Sequence, residues 1–259
     1  TRIVSGQIEL AGNWHVLSLH TIFDQTILSP SNVGRAAFGG IAIAAGEPGT
    51  SRGISGSGSE SGSQGLPSSS LTFGGTIQNL LTTNNGTTGD GTCNLTLNYG
   101  PDSRVMLAAA SPTMIFGLDA EESDGEAGIV FMVRQFDASA APVDTVRVPG
   151  TFLVGGHTLF VNPSISGSDS FVGVVTLTAQ GGFRLDAVGN QGADFSYIGG
   201  YTLSAEGRMT ISISGTNETW FAAIDRDYQT LVFVDAFVEA RSNNIPEINI
   251  GIGVREKTN

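Results

Sequence analysis

The chain has 259 residues and a formal net charge of −12, from 12 basic and 24 acidic side chains. Its lone lysine is Lys257, so it carries no basic stripe able to neutralise phosphates; nucleic acid is excluded as an expected partner, and anionic membrane surfaces are disfavoured. A single cysteine, Cys93, excludes an internal disulfide, and no apolar run reaches the length of a transmembrane helix.

Helical periodicity is almost missing. Short runs of alternating apolar residues are bounded by Gly, Asn, Asp and Ser, which is the pattern of strands joined by tight turns. Thr1 to Leu10 reads as a strand with Val4, Gly6, Ile8 and Leu10 on one face. A chain opening on Thr1 is expected to be a processed mature form or an excised fragment. Gly46 to Ser70 holds nine Ser and seven Gly and is expected to be a mobile insertion between strands. Thr82 to Gly91 is a second soft stretch. Leu95 to Leu97, Val105 to Ala109, Met114 to Phe116 and Ile129 to Arg134 read as strands, and Cys93 as a small core hydrophobe. The small, Ala-rich stretch 137–144 reads as a linker.

Beyond it, Val146 to Val154 reads as one strand bent at Pro149-Gly150. Further strands follow at Phe171 to Thr178, Phe183 to Val188, Phe195 to Leu203, Arg208 to Ser214, Thr219 to Ile224, Thr230 to Val238 and Glu247 to Arg255. This second half echoes the first. Gln7 to Val16 matches Thr145 to Val154, and each half closes on an apolar strand and an arginine, Arg134 and Arg255. The expected architecture is all-β: two tandem antiparallel meander modules, residues 1–136 and 145–259. About eight strands per copy suffice to close a calycin-like barrel, and two packed sheets satisfy the same pattern.

Leu10-Ala11-Gly12-Asn13-Trp14, Gly199-Gly200-Tyr201-Thr202-Leu203, and Gly207 to Ile211 leading to Trp220-Phe221 together resemble a repeat of secreted proteins from Acidobacteria and related bacteria. The resemblance covers most of both copies, although the first copy has no clear Gly-x-Tyr. It implies a secreted β-barrel module and brings no catalytic residues with it.

Chemistry is sparse. Gly-x-Ser-x-Gly occurs once, at Gly49 to Gly53, inside the Ser/Gly-rich stretch and with no helical pattern after it, so it does not read as a nucleophile elbow, and there is no phosphate-binding Gly-x-x-x-x-Gly-Lys. His20 and His157, each followed by Thr, fall at matching places in the two copies and are expected to be strand-end residues kept from the duplication. No histidine spacing points to zinc. Asp119 to Glu126 packs five acids into eight residues. Asp119, Glu121, Glu122 and Asp124 are the candidate ligands of a calcium ion, against the simpler reading of a solvated acidic turn. Asp225 and Asp227 read as turn residues. The second copy holds most of the aromatics, read first as core and alternatively as the lining of a ligand cavity. Asn85, Asn94 and Asn217 begin N-glycosylation sequons.

The sequence therefore points to an extracellular or cell-surface structural protein without enzymatic activity or cofactor, calcium aside. It is expected to self-associate into an oligomer or polymer, with the N-terminal strand adding to a neighbour's sheet edge. The alternative is a lipocalin-like barrel holding an apolar ligand or a carbohydrate.

Overall fold

The computed structural model describes residues 9–22, 34–46, 50–62, 69–79, 92–99, 102–119, 126–162, 165–190, 192, 194–235 and 247–257. The first module contains β1 (Gly12–Ile22), β2 (Gly34–Ile43), β3 (Arg52–Gly62), β4 (Ser69–Asn79), β5 (Thr92–Tyr99), β6 (Asp102–Ala110), β7 (Met114–Asp119) and β8 (Glu126–Arg134). The second contains β9 (Gly150–Asn162), β10 (Ile165–Leu177), β11 (Gly182–Gly189), β12 (Asp194–Leu203), β13 (Arg208–Ile213), β14 (Thr219–Ile224), β15 (Thr230–Asp235) and β16 (Glu247–Arg255). All pairings are antiparallel between sequential neighbours, and β1–β8 and β9–β16 pairings close each sheet on itself. The choice between barrel and sandwich is settled: these are two closed barrels, and closure leaves each described strand paired on both sides.

Period-two alternation explains most strands. β11 alternates buried Phe183, Leu185 and Ala187 with exposed Arg184, Asp186 and Val188. The same rule corrects the expectation of a mobile insertion at 46–70. Residues Arg52–Gly62 are a full strand, in which Gly56 and Gly58 face inward and Ser55, Ser57 and Ser59 face water. The inward glycines let β3 lie close to β2, and a Cβ on Gly39 or Gly58 would meet the Phe73 ring that crosses the barrel there. Residues 47–49 and 63–68 of that stretch lie outside the described residues.

A second correction concerns the strand starts. Thr145 to Val148 forms turns rather than strand, and β9 begins at Gly150. Leu10 likewise precedes β1 and is buried. The reason is a clamp present in both barrels. Arg255 donates from Nε to the Tyr228 carbonyl (2.6 Å) and from its other nitrogens to the carbonyls of Pro149 (2.8 Å), Arg147 (2.9 Å) and Val148 (3.0 Å). Arg134 donates to the carbonyls of Glu9 and Ala11, both at 2.6 Å. These carbonyls are satisfied by a side chain, so the segment needs no strand partner. Each guanidinium also lies over the first inward aromatic of its barrel, Trp14 at 5.3 Å and Phe152 at 4.6 Å. Gly12 and Gly150 sit beneath the arginines with positive φ of 127° and 156°, where a Cβ would press on the guanidinium.

The barrels pack wall to wall. Leu17, Leu19, Ala36, Phe38, Phe131 and Val133 of the first form one buried cluster with Ala223, Val232, Val234, Ile248 and Ile250 of the second. Phe38 and Phe221 stack at 4.6 Å with planes 5° apart. These strands are buried on both faces, one on their own core and one on the neighbouring barrel, which is why Leu231 to Val234 reads as an unbroken apolar run. The stretch 137–144 is stitched to the second barrel. Val143 N–H donates to the Ala205 carbonyl (2.9 Å) and Asp144 N–H to the Tyr228 hydroxyl (2.7 Å). Tyr228 takes a left-handed φ of 60° to reach this position, in a turn where the Asp225 carboxylate accepts from Gln229 and Thr230 N–H at 2.8 and 2.9 Å.

Candidate functional site

Both barrels are apolar around the clamp and polar toward the opposite end. In the first barrel, register places His20, Ser18, Arg35, Glu60, Tyr99, Arg104 and Asp119 on the inward face. Arg35 and Glu60 pair at 3.1 Å, and Arg104 and Asp119 at 3.7 Å. The His20 ring stands edge-on to Tyr99 at 4.4 Å, and Tyr99 edge-on to Phe73 at 5.6 Å. Burial, reinforced by the Arg104 and Arg35 charges, pushes the His20 pKa down to about 3, so the ring is neutral. Burial also pushes the Tyr99 phenol up.

In the second barrel the polar end is smaller. Thr158 donates to the Asn249 side-chain carbonyl at 2.5 Å, and the Asn249 amide donates to buried Asp235 at 3.4 Å. The rest of this interior is packed aromatic: Trp220 contacts Tyr197, Phe183 and Phe233 with centroids 5.0, 5.8 and 5.8 Å away. The aromatic mass read from the sequence is thus mainly core.

The remaining sequence candidates disperse. Asp119 closes β7, faces the barrel interior and is ion-paired with Arg104; Glu121, Glu122 and Asp124 lie outside the described residues. Among the described residues no cluster of three or more His, Cys, Asp or Glu is placed to hold a metal. His20 and His157 are not equivalents. The clamp glycines align Trp14 with Phe152, which matches His20 to Thr158; His20 points into its barrel, while His157 pairs with Ile250 on the outer wall. One residue of slip puts the two histidines on opposite faces. His15, which no motif marked, lies between the barrels, with Nε2 2.9 Å from the Glu206 carbonyl and Nδ1 3.3 Å from the Gln135 amide. Burial lowers its pKa to about 4. Cys93 is buried as expected, and burial raises its thiol to about 11. Val4, Gly6 and Ile8 lie outside the described residues.

The outer walls carry exposed apolar side chains. On the first barrel, Leu107 and Leu118 are cross-strand partners, 65% and 44% exposed, with Val105 beside them on β6. On the second, Val172 and Val188 are partners, 68% and 43% exposed, and Val254 pairs with Leu153 one strand away. An open groove of about 420 Å³ adjoins the Val172–Val188 pair, with Asp186, Asp194, Phe195 and Ser196 along it. Its rim is held by Arg184, which grips Asp186 through two nitrogens at 2.6 and 2.9 Å.

The described residues contain no helix long and apolar enough to cross a membrane. No family model matches the chain, and no curated protein does. Among solved structures, the chain is similar to the haemoglobin receptor HpuA from Kingella denitrificans. In its complex with human haemoglobin that structure gives a TM-score of 0.40 and 13% identity over 98% of this chain and 91% of that one. The apo receptor gives 0.39 and 12% identity over 99% and 92%. A protein of unknown function from the DUF3598 family of Nostoc punctiforme gives 0.32 and 8% identity over 95% and 96%. Likeness at this level transfers no activity and no partner to the present chain.

Proposed function

We propose that this is an extracellular or cell-surface protein without catalytic activity, whose double barrel associates with further copies of itself through its outer walls. The observation that carries the reading is the set of solvent-facing apolar cross-strand pairs, Leu107–Leu118 on one barrel and Val172–Val188 on the other. Polar residues are the rule on the water side of a half-buried sheet, and paired exposed apolar side chains mark contact surfaces. The two patches differ in sequence and lie on different barrels, so joining one to the other across copies gives a head-to-tail contact. Wall contact replaces strand addition as the mode of assembly, because closed sheets offer an incoming strand no free edge. The charge of −12 opposes association of like copies, so salt strengthens it.

Light scattering on the eluting protein over a range of concentrations tests this. The expected result is a mass that rises with concentration and with salt. Leu107→Glu or Val172→Glu, both at exposed positions, abolishes the rise without unfolding the barrel. A single monomeric mass at all concentrations rules the reading out.

A further inference from the structure

Beside the apolar contact between the barrels lies a small polar joint. His15, on β1 and 4% exposed, reaches the Glu206 carbonyl in the turn between β12 and β13 of the other barrel, with Nε2 at 2.9 Å. The Phe136 N–H donates to the same carbonyl at 3.0 Å. A carbonyl only accepts, so Nε2 carries the proton of the neutral ring. Nδ1 is then the acceptor, and it faces the Gln135 side-chain nitrogen at 3.3 Å. That amide also donates to the Trp14 carbonyl at 3.2 Å. The ring stacks on Phe38 at 6.5 Å, and Phe38 in turn stacks on Phe221 of the second barrel, with the Arg208 guanidinium 5.9 Å from its centre.

This joint accommodates one state of the histidine. A second proton sets Nδ1–H against the Gln135 N–H. Turning the amide over to offer its oxygen would aim that oxygen at the Trp14 carbonyl instead, so the conflict moves without being relieved. The surrounding charges do not remove it. Arg208 opposes an imidazolium and the Glu206 carboxylate favours one, while burial is the largest cost. The other charged groups on these segments are Arg134, Asp137 and Arg226, which donates to the Gln135 carbonyl at 2.7 Å. We propose that His15 is an acid-released latch: protonation of its ring parts the two barrels while each stays folded, and uncovers the apolar walls around Phe38 and Val232. Once the barrels part, the ring meets water and titrates near its ordinary 6.5, against about 4 when they are closed. Between those values the open form takes up a proton that the closed form refuses. Each pH unit of fall therefore raises the ratio of open to closed roughly tenfold, and the trend ends below pH 4. The latch uses neither the Leu107–Leu118 nor the Val172–Val188 pair, so it stands or falls apart from the assembly reading.

The test is the distance between the barrels, read by double electron–electron resonance from pH 7 to pH 4.5. Spin labels go on Ser57→Cys and Ser212→Cys, exposed positions on β3 and β13, while Cys93 is buried and stays unlabelled. Leu107→Glu is added so that association does not contribute. Near-UV circular dichroism of Trp14 and Trp220, one buried in each barrel, follows the folds. Nitrogen NMR in a His157→Gln chain follows the His15 ring, because His20 stays neutral above pH 4.5. The expected result is one narrow distance at pH 7 and a second, longer one that grows as the His15 ring takes up its proton, with the tryptophan signals unchanged. A His15→Gln chain, which keeps an uncharged donor and acceptor, is expected to stay narrow throughout. A distance that does not change with pH overturns the proposal, and so does the same change in His15→Gln. Loss of the tryptophan signals in step with the longer distance also overturns it, since that is unfolding and not release. The native ring gives a check that needs no substitution at His15: ring protonation and barrel separation at different pH values contradict the latch.

Discussion

At the residue scale, two arginines and two histidines do most to fix the structure. Arg255 satisfies four carbonyls and covers Phe152. Its replacement by Ala strands those carbonyls at a barrel end, and urea unfolding is expected to show a loss of about 2–4 kcal/mol. Arg134→Ala, with two carbonyls, is expected to cost less. The closing arginines were visible in the sequence as the last residue of each copy's final strand. Their role was not, because the segments they hold ahead of β1 and β9 lie more than a hundred residues away. His15 governs acid stability. Its folded pKa of about 4 lies below its ordinary 6.5, mainly through burial. Between those values the unfolded chain takes up a proton that the folded chain refuses. The stabilisation is therefore complete above pH 6.5 and falls as pH drops toward 4, by about 1.4 kcal/mol per pH unit, before levelling off. His20 extends the same trend toward pH 3. Unfolding of His15→Gln as a function of pH is expected to show a slope shallower by one proton; an unchanged slope contradicts the placement of His15.

At the element scale, legibility followed side-chain size. The boundaries of β11, β13, β14 and β16 agree with the sequence reading to within one residue, because large apolar side chains alternate between tight turns. β3 was misread because the inward positions at its middle, Gly56 and Gly58, carry only hydrogens. Its Ser-Gly-Ser-Gly alternation obeys the same period of two, but composition alone resembled a linker. This makes an asymmetric prediction within one strand. Gly58→Val forces a side chain into the Phe73 ring and the β2 backbone and is expected to destabilise the fold by about 1–3 kcal/mol. Ser57→Thr, facing water on the same strand, is expected to be neutral or slightly stabilising. Equal effects in thermal unfolding would mean that the stretch is not a strand.

At the scale of the whole molecule, the duplication predicted two modules but not how they meet. The signal was present in the unbroken apolar runs Ile129 to Val133 and Leu231 to Val234, which a half-buried strand does not need. The wall-to-wall contact makes the barrels one cooperative body. Calorimetry of the native chain is expected to give one unfolding transition, and Val232→Asp, at the centre of that contact, two. The same body exposes two different apolar walls, and the central claim is that one wall recognises the other on a second copy. The most direct measurement is sedimentation velocity of Leu107→Glu and Val172→Glu chains, each alone and then mixed. Each variant keeps one intact wall, complementary to the intact wall of the other. The account predicts monomers for each alone and a one-to-one dimer that grows no further in the mixture. A mixture that stays monomeric, or a single variant that still forms long assemblies, contradicts it.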